Sequence, residues 1–136
     1  MQQYIGTKII QASPQDRDEQ PGYAVRYPDG YDSWSPRDVF EAAYQPMTGM
    51  SFGHAIVLLK AGHRVARTGW NGKGMFIYHV PANSYPAQTG VAKAYFGAEA
   101  LVPYTAYIAI KSVNETVTPW VASQTDILAD DWWVID

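Results

Sequence analysis

Between two apolar stretches the chain reads Arg67-Thr68-Gly69-Trp70-Asn71-Gly72-Lys73-Gly74-Met75, and three glycines in so short a space mark a loop and not a regular element. Glycine frees the backbone for positive φ and lets a ligand approach main-chain N–H groups. Arg67 and Lys73 bring cations to the loop, Asn71 an amide and Trp70 a flat face for a base. That set suits a small phosphorylated ligand. It is not a phosphate-binding P-loop, because Gly69 and Gly72 are too close and Lys73 is followed by Gly74 instead of Ser or Thr. The alternative is a tight turn around a buried tryptophan.

The flanking sequence predicts short elements of both kinds. Tyr4 to Ala12 reads as a strand, with Ile5, Thr7 and Ile9 alternating, and Ser13 to Gly22 as a loop. Tyr23–Tyr27 and Tyr31–Trp34 read as a hairpin around Pro28-Asp29-Gly30. Ser35 is the expected N-cap of a helix with Pro36 at its first position and Val39, Phe40, Ala43 and Tyr44 on one face. A linker with Pro46 and Gly49 precedes a helix capped by Ser51, striped with Phe52, Ala55, Ile56 and Leu59, and ended by Gly62.

Arg64–Arg67 and Met75–Val80 are the strands either side of the glycine loop. Pro81 to Gly90 reads as irregular, Val91 to Phe96 as a single helical turn stopped at Gly97, and Tyr104 to Lys111 as one strand. Asn114-Glu115 turns that strand towards Thr116–Trp120. Ser123 and Asp126 have capping-box spacing ahead of Ile127 and Leu128, and Trp132–Ile135 forms a last strand. Helices and strands mix without a β-α repeat, so the expected class is α+β: a small, largely antiparallel sheet with two to three short helices. The expectation is one domain over 1–136, with a hairpin-and-helix extension at 1–47 and a core at 48–136.

Composition narrows the function classes. With 47% hydrophobic residues and 14% aromatics the chain is expected to be globular. Zero cysteines remove a disulfide framework, thiolate metal sites and a thiol nucleophile, and fit a reducing cytoplasm. No signal peptide or membrane-length apolar run is read. A net charge of −3 opposes binding to a long nucleic acid, whose affinity comes from many phosphate contacts. A compact ligand with two or three phosphates needs only local cations.

Catalytic and metal signals are weak. His54, His63 and His79 have no second histidine at ligand spacing, so no metal is expected. No Gly-x-Ser-x-Gly elbow occurs, and the adjacent Asp130 and Asp131 diverge, so no catalytic residue is assigned. Binding has more support. Arg37 stands at a helix start, where an anion is stabilised, although a solvated arginine is the alternative. Arg67 can fork onto a phosphate, against the alternative of a salt bridge with Asp126 or Asp131. Trp70, Tyr95, Phe96 and Trp120 are candidates for base stacking, at about 1–3 kcal/mol for each that stacks, although most of these rings are expected to be core. Asn71, Thr105 and Gln124 are candidates for reading a base edge or ribose hydroxyls. No cofactor is implied.

The run Met50–Gly53, then Val65 to Met75, Tyr107–Lys111 and Pro119 to Trp132, resembles a small phage and prophage domain. Tyr27 to Phe40 resembles the extension of the Thoeris anti-defence sponge family of the first type. That resemblance implies a non-enzymatic sponge in the cytoplasm of the infected bacterial host. Such a sponge sequesters cyclic ADP-ribose isomers made by TIR-domain enzymes, with cyclic oligonucleotides of CBASS held at a second site in some members. It further implies homodimers, in some members joined as hexamers of three dimers, with a pocket of arginines and an aromatic between protomers. The matching positions are Arg37 and Arg67, which could clamp a pyrophosphate, with Tyr95 or Phe96 as the aromatic and polar groups at Thr105 and Gln124. The rival readings are a phage protein-binding module and an enzyme cleaving the same nucleotide, with His79 as its base.

Overall fold

A computed structural model describes residues 1–135. Along the chain it has β1 (Gln11–Pro14), β2 (Gly22–Arg26), β3 (Asp32–Pro36), α1 (Arg37–Ala43), α2 (Phe52–Lys60), β4 (Arg64–Arg67), β5 (Phe76–Val80) and β6 (Asn83–Pro86). There follow α3 (Gly90–Phe96), β7 (Leu101–Tyr104), β8 (Tyr107–Lys111), β9 (Val117–Pro119), α4 (Gln124–Leu128) and β10 (Trp132–Ile135). All the strand pairings among the described residues are antiparallel, so the α+β class expected from the sequence stands. The chain divides into two compact units, Met1–Pro46 and the residues from Met47 on.

The first unit is a β1-β2-β3 meander with α1 beside it. Gly22 permits it: a Cβ there would run into the Trp34 ring, so only glycine lets the indole cross β2. Trp34 then donates Nε1–H to the Gln15 carbonyl at 2.7 Å. Phe40 of α1 stacks between Tyr23 and Tyr44 at centroid distances of 4.1 and 5.0 Å. The loop expected at Ser13 to Gly22 gives its ends to β1 and β2. The strand placed at Tyr4–Ala12 begins only at Gln11. Ser35 belongs to β3 and does not cap α1; the cap position is Pro36, which has no side-chain acceptor.

The second unit is a five-stranded sheet in the order β10-β4-β5-β8-β9, with α2 packed on it. Ser51 caps α2, its Oγ accepting from the His54 amide, and Gly62 at φ +97° turns the chain after the helix. Ala55, Leu58 and Leu59 face Val65 and Ile77 of the sheet, Met50 and Trp132, and Trp132 is fully buried. Each leucine, valine or isoleucine side chain buried there stabilises the unit by about 1.5–3 kcal/mol. The segment expected to be irregular, 81–90, contains β6, which pairs with β7. The single strand expected at Tyr104–Lys111 is interrupted at Thr105 and Ala106, so that β7 leaves for β6 while β8 joins β5.

Candidate functional site

The glycine loop connects β4 to β5 and is fastened at its first end by charge. Arg67 ends β4 directly opposite Trp132, the first residue of β10, so its side chain lies beside that of Asp131. Its Nε donates to Asp131 Oδ1 at 2.8 Å and its Nη2 to Oδ2 at 3.3 Å, while Nη1 donates to Asp126 Oδ1 at 2.9 Å. The Arg67 side chain is 14% exposed. Asp131 also accepts the Gly69 amide at 2.8 Å, and Asp126 accepts the Trp70 indole N–H at 3.1 Å. The two carboxylates thus hold Arg67, Gly69 and Trp70 at once.

The same aspartates tie the loop to α4. Ser123 and Asp126 form a reciprocal capping box, with Ser123 Oγ accepting the Asp126 amide at 3.0 Å. Trp132 donates its indole N–H to the Asp126 carbonyl at 2.9 Å. Burial works against ionisation of Asp126, but hydrogen bonds from Trp70, Arg67 and Ser123 outweigh it and hold the pKa below the usual carboxylate value. Asp131 is lowered chiefly by its hydrogen bonds from Arg67, against a cost of burial. Arg67 is raised in turn by both aspartates.

Beneath this latch lies an aromatic layer. The Trp70 and Trp120 rings meet Trp132 edge-on at 5.3 and 6.0 Å, and Phe52 of α2 reaches Trp132 and Trp120 at 5.2 and 5.8 Å. Trp120 is further fixed by its amide on the Ile108 carbonyl at 2.8 Å. Trp70 and Trp120 are each partly buried residues, whereas Trp132 between them is fully buried.

Past Trp70 the loop changes character. Asn71, Lys73 and Gly74 are exposed. Gly72 packs so closely against Met75 and Val113 that a Cβ would collide with both. Gly74 sits at φ +76°, and a Cβ there would lie 3.5 Å from the ammonium of Lys111. Lys111 on β8 stands opposite Phe76 of β5, its Nζ 5.4 Å from that ring, while Arg64 of β4 approaches the ring at 5.1 Å. Lys111 also pairs with the exposed Glu115 at 3.0 Å. The second half of the loop is therefore bordered by Lys73, Lys111 and, across Phe76, Arg64.

The structure brings some of the expected site residues together. Arg67, Trp70, Asn71 and Lys73 share the loop, and Trp120 and Trp70 share the layer against Trp132. Gln124 is exposed at the start of α4, two residues before Asp126. Thr105 is exposed in the connection between β7 and β8. Tyr95 and Phe96 end α3 edge to face at 4.8 Å, with Tyr95 83% exposed. Arg37 belongs to the other unit; it lies 3.8 Å from Asp38, and its amide donates to the Pro21 carbonyl at 3.0 Å, so one of the N–H groups expected to await an anion is already used.

Sequence reasoning did not find Lys111, which reaches the loop only through cross-strand pairing of β8 with β5. Phe52 was read only as part of a helix stripe. Among the described residues no group of three or more His, Cys, Asp or Glu could hold a metal ion, and no helix is long and apolar enough to cross a membrane.

Residues 50–135 match the Tad2-like family, described as the Thoeris anti-defense 2-like domain. The chain is also 39% identical over 89 residues to "Thoeris anti-defense 2" of Bacillus phage SP01, an alignment spanning 65% of this chain and 97% of that protein. The Thoeris anti-defence relationship expected from the sequence stands. The matched family is the second kind, however, and residues 27–40, which carried the likeness to the first, lie outside the matched span. With well over half of its residues matched, the chain belongs to the Thoeris anti-defense 2-like family.

Proposed function

We propose that this Thoeris anti-defence protein is a non-enzymatic sponge that binds a cyclic ADP-ribose isomer produced by a TIR enzyme and withholds it from the host's effector. The observation that carries the reading is the two-part glycine loop, latched at Gly69 and Trp70 by Asp131 and Asp126 and bordered at Gly74 by Lys111. A fixed loop loses little conformational freedom on binding, which favours tight capture. Lys73 is the exposed cation for the pyrophosphate. Lys111, which is 14% exposed but holds only the single, exposed carboxylate of Glu115 where Arg67 holds two shielded ones, is the second. Asn71 is a donor and acceptor for ribose or base edge, and the Trp70 indole is the stacking face.

Arg67 takes a different role in this reading from the phosphate clamp expected of it. Two carboxylates already hold its guanidinium, and a phosphate approaching it meets their negative charge. Arg67 positions the loop, and the lysines meet the ligand.

The test is a bind-and-release measurement. The protein is incubated with the cyclic product of an activated TIR enzyme, separated by filtration, and then heated. A sponge depletes the filtrate and returns the intact ligand on heating, and a Lys73→Ala, Lys111→Ala double variant loses most of that depletion. Altered products on release support an enzyme in its place. No depletion by the folded wild-type protein rejects the sponge for that ligand.

A further inference from the structure

We propose that residues 1–13 form an exchange strand that pairs antiparallel with the same segment of a second copy of this chain, about a two-fold axis at Thr7. The segment precedes the matched family span, so the inference is independent of the ligand reading.

Residues 1–10 have no strand or bridge partner among the described residues. Yet Tyr4, Ile5, Thr7, Ile9 and Ile10 are strand-forming types. Tyr4 is 91% exposed and Ile5 is 101% exposed, as open as in an isolated chain. The segment runs directly into β1 at Gln11. In the β1–β2 register, Ile10 would oppose Tyr27, and Lys8, its diagonal neighbour, places its Nζ 4.4 Å over the Tyr27 ring. β1 itself is an edge strand, bonded among the described residues only to β2. A strand-forming run leading into a free edge lacks only its partner strand.

Backbone parity then selects the register. Gln15 donates its amide to the Gly22 carbonyl at 2.8 Å, so odd-numbered residues of β1 face β2 and even-numbered ones face the open edge. Pro14, which has no N–H to offer, falls on that open side. Pairing across the open edge must therefore join even residues to even and odd to odd, which places a residue on the two-fold axis. With Thr7 on the axis, Ile5 meets Ile9 of the second copy, Tyr4 meets Ile10, and Gln2 meets the free backbone edge of Ala12. Moving the axis to Gly6 or Lys8 sets Ile5 against Thr7 or Gln11, and the apolar pairs are lost. The segment is self-complementary in one register, as a symmetric contact requires.

The absence of cysteine makes the test clean. Odd residues form the non-hydrogen-bonded pairs, whose Cα atoms are about 4.5 Å apart, within disulfide reach. Single cysteines are placed at positions 5, 6, 7, 8 and 9, and oxidative dimer formation is followed at low protein concentration. Thr7→Cys is expected to cross-link about an order of magnitude faster than the others, because its partner is held close by the paired strands. Ile5→Cys and Ile9→Cys cross-link slowly alone but quickly when the two proteins are mixed. An even profile across the five positions, or no gain on mixing, overturns the proposal. Association through another surface cannot mimic this pattern. Sedimentation of Ile9→Asp gives a second reading: a weakened dimer supports the strand pair, and an unchanged sedimentation profile rejects it.

Discussion

Arg67 grips Asp131 with two parallel hydrogen bonds, Nε to Oδ1 at 2.8 Å and Nη2 to Oδ2 at 3.3 Å, across the junction of β4 and β10. The planar guanidinium still has Nη1 to reach Asp126 at 2.9 Å, so one side chain ties the final strand, α4 and the glycine loop together. Replacing Arg67 by Ala leaves two aspartates without their shared cation. We expect a loss of about 2 kcal/mol or more, because an ion pair is broken where its members are largely shielded. Arg67→Lys should recover little, since a point charge cannot span both carboxylates. Thermal unfolding checks this at about 4 °C per kcal/mol for a chain of this size. A Lys variant as stable as wild type would show that the fork geometry contributes nothing.

The latch also predicts how stability responds to acid. Asp126 and Asp131 both have folded-state pKa values below their unfolded ones. Their contribution is fully present above the unfolded pKa of about 3.9 and is lost as pH falls through the lower folded values. Urea midpoints should therefore change little through this pair between about pH 7 and 5 and drop below about pH 4. Asp131→Asn should be less stable at neutral pH and should converge on wild type in acid. Parallel curves for the two proteins would mean that Asp131 ionises identically in the folded and unfolded chains.

Trp70 separates its packing from its polar contact. Trp70→Phe keeps an aromatic against Trp132 but removes the indole N–H donated to Asp126, so about 1 kcal/mol of stability is expected to go. Trp70→Ala also strips the edge-on contact and should cost about 2–3 kcal/mol. If the ring is also a stacking face, Phe should retain part of the ligand depletion and Ala none. Paired unfolding and bind-and-release measurements on both variants distinguish these effects. Equal ligand retention by folded Phe and Ala variants would remove stacking from the account.

Local chemistry explains what the sequence made legible. The α2 cap at Ser51, the capping box of Ser123 and Asp126, and the stop at Gly97 each depend on residues within a few positions, and each was readable. Tyr4–Ala12 misled because its strand propensity is real while the pairing it needs is not supplied within residues 1–10. β6 went unread because Asn-Ser-Tyr-Pro lacks apolar alternation and gains its ladder only from β7, some twenty residues on. At the site, Arg67 was visible as a cation, and Asp126 and Asp131 as its alternative partners. What no linear pattern carried was Lys111, which approaches Gly74 from another strand.

The loop glycines offer the sharpest discrimination, because Gly72 and Gly74 are required for different physical reasons. A Cβ on Gly72 collides with the Met75 thioether and a Val113 methyl, so Gly72→Ala forces side chains of two segments to move. A Cβ on Gly74 meets only ordinary contact with Lys111, but the backbone there is left-handed at φ +76°. Gly74→Ala should therefore cost about 1–2 kcal/mol through the backbone alone. Asparagine tolerates that conformation, so Gly74→Asn should be milder than Gly74→Ala, whereas Gly72→Asn should be worse than Gly72→Ala. Unfolding midpoints of the four variants check the ordering. If asparagine is the milder substitution at both positions, steric crowding by Met75 and Val113 is not what requires Gly72.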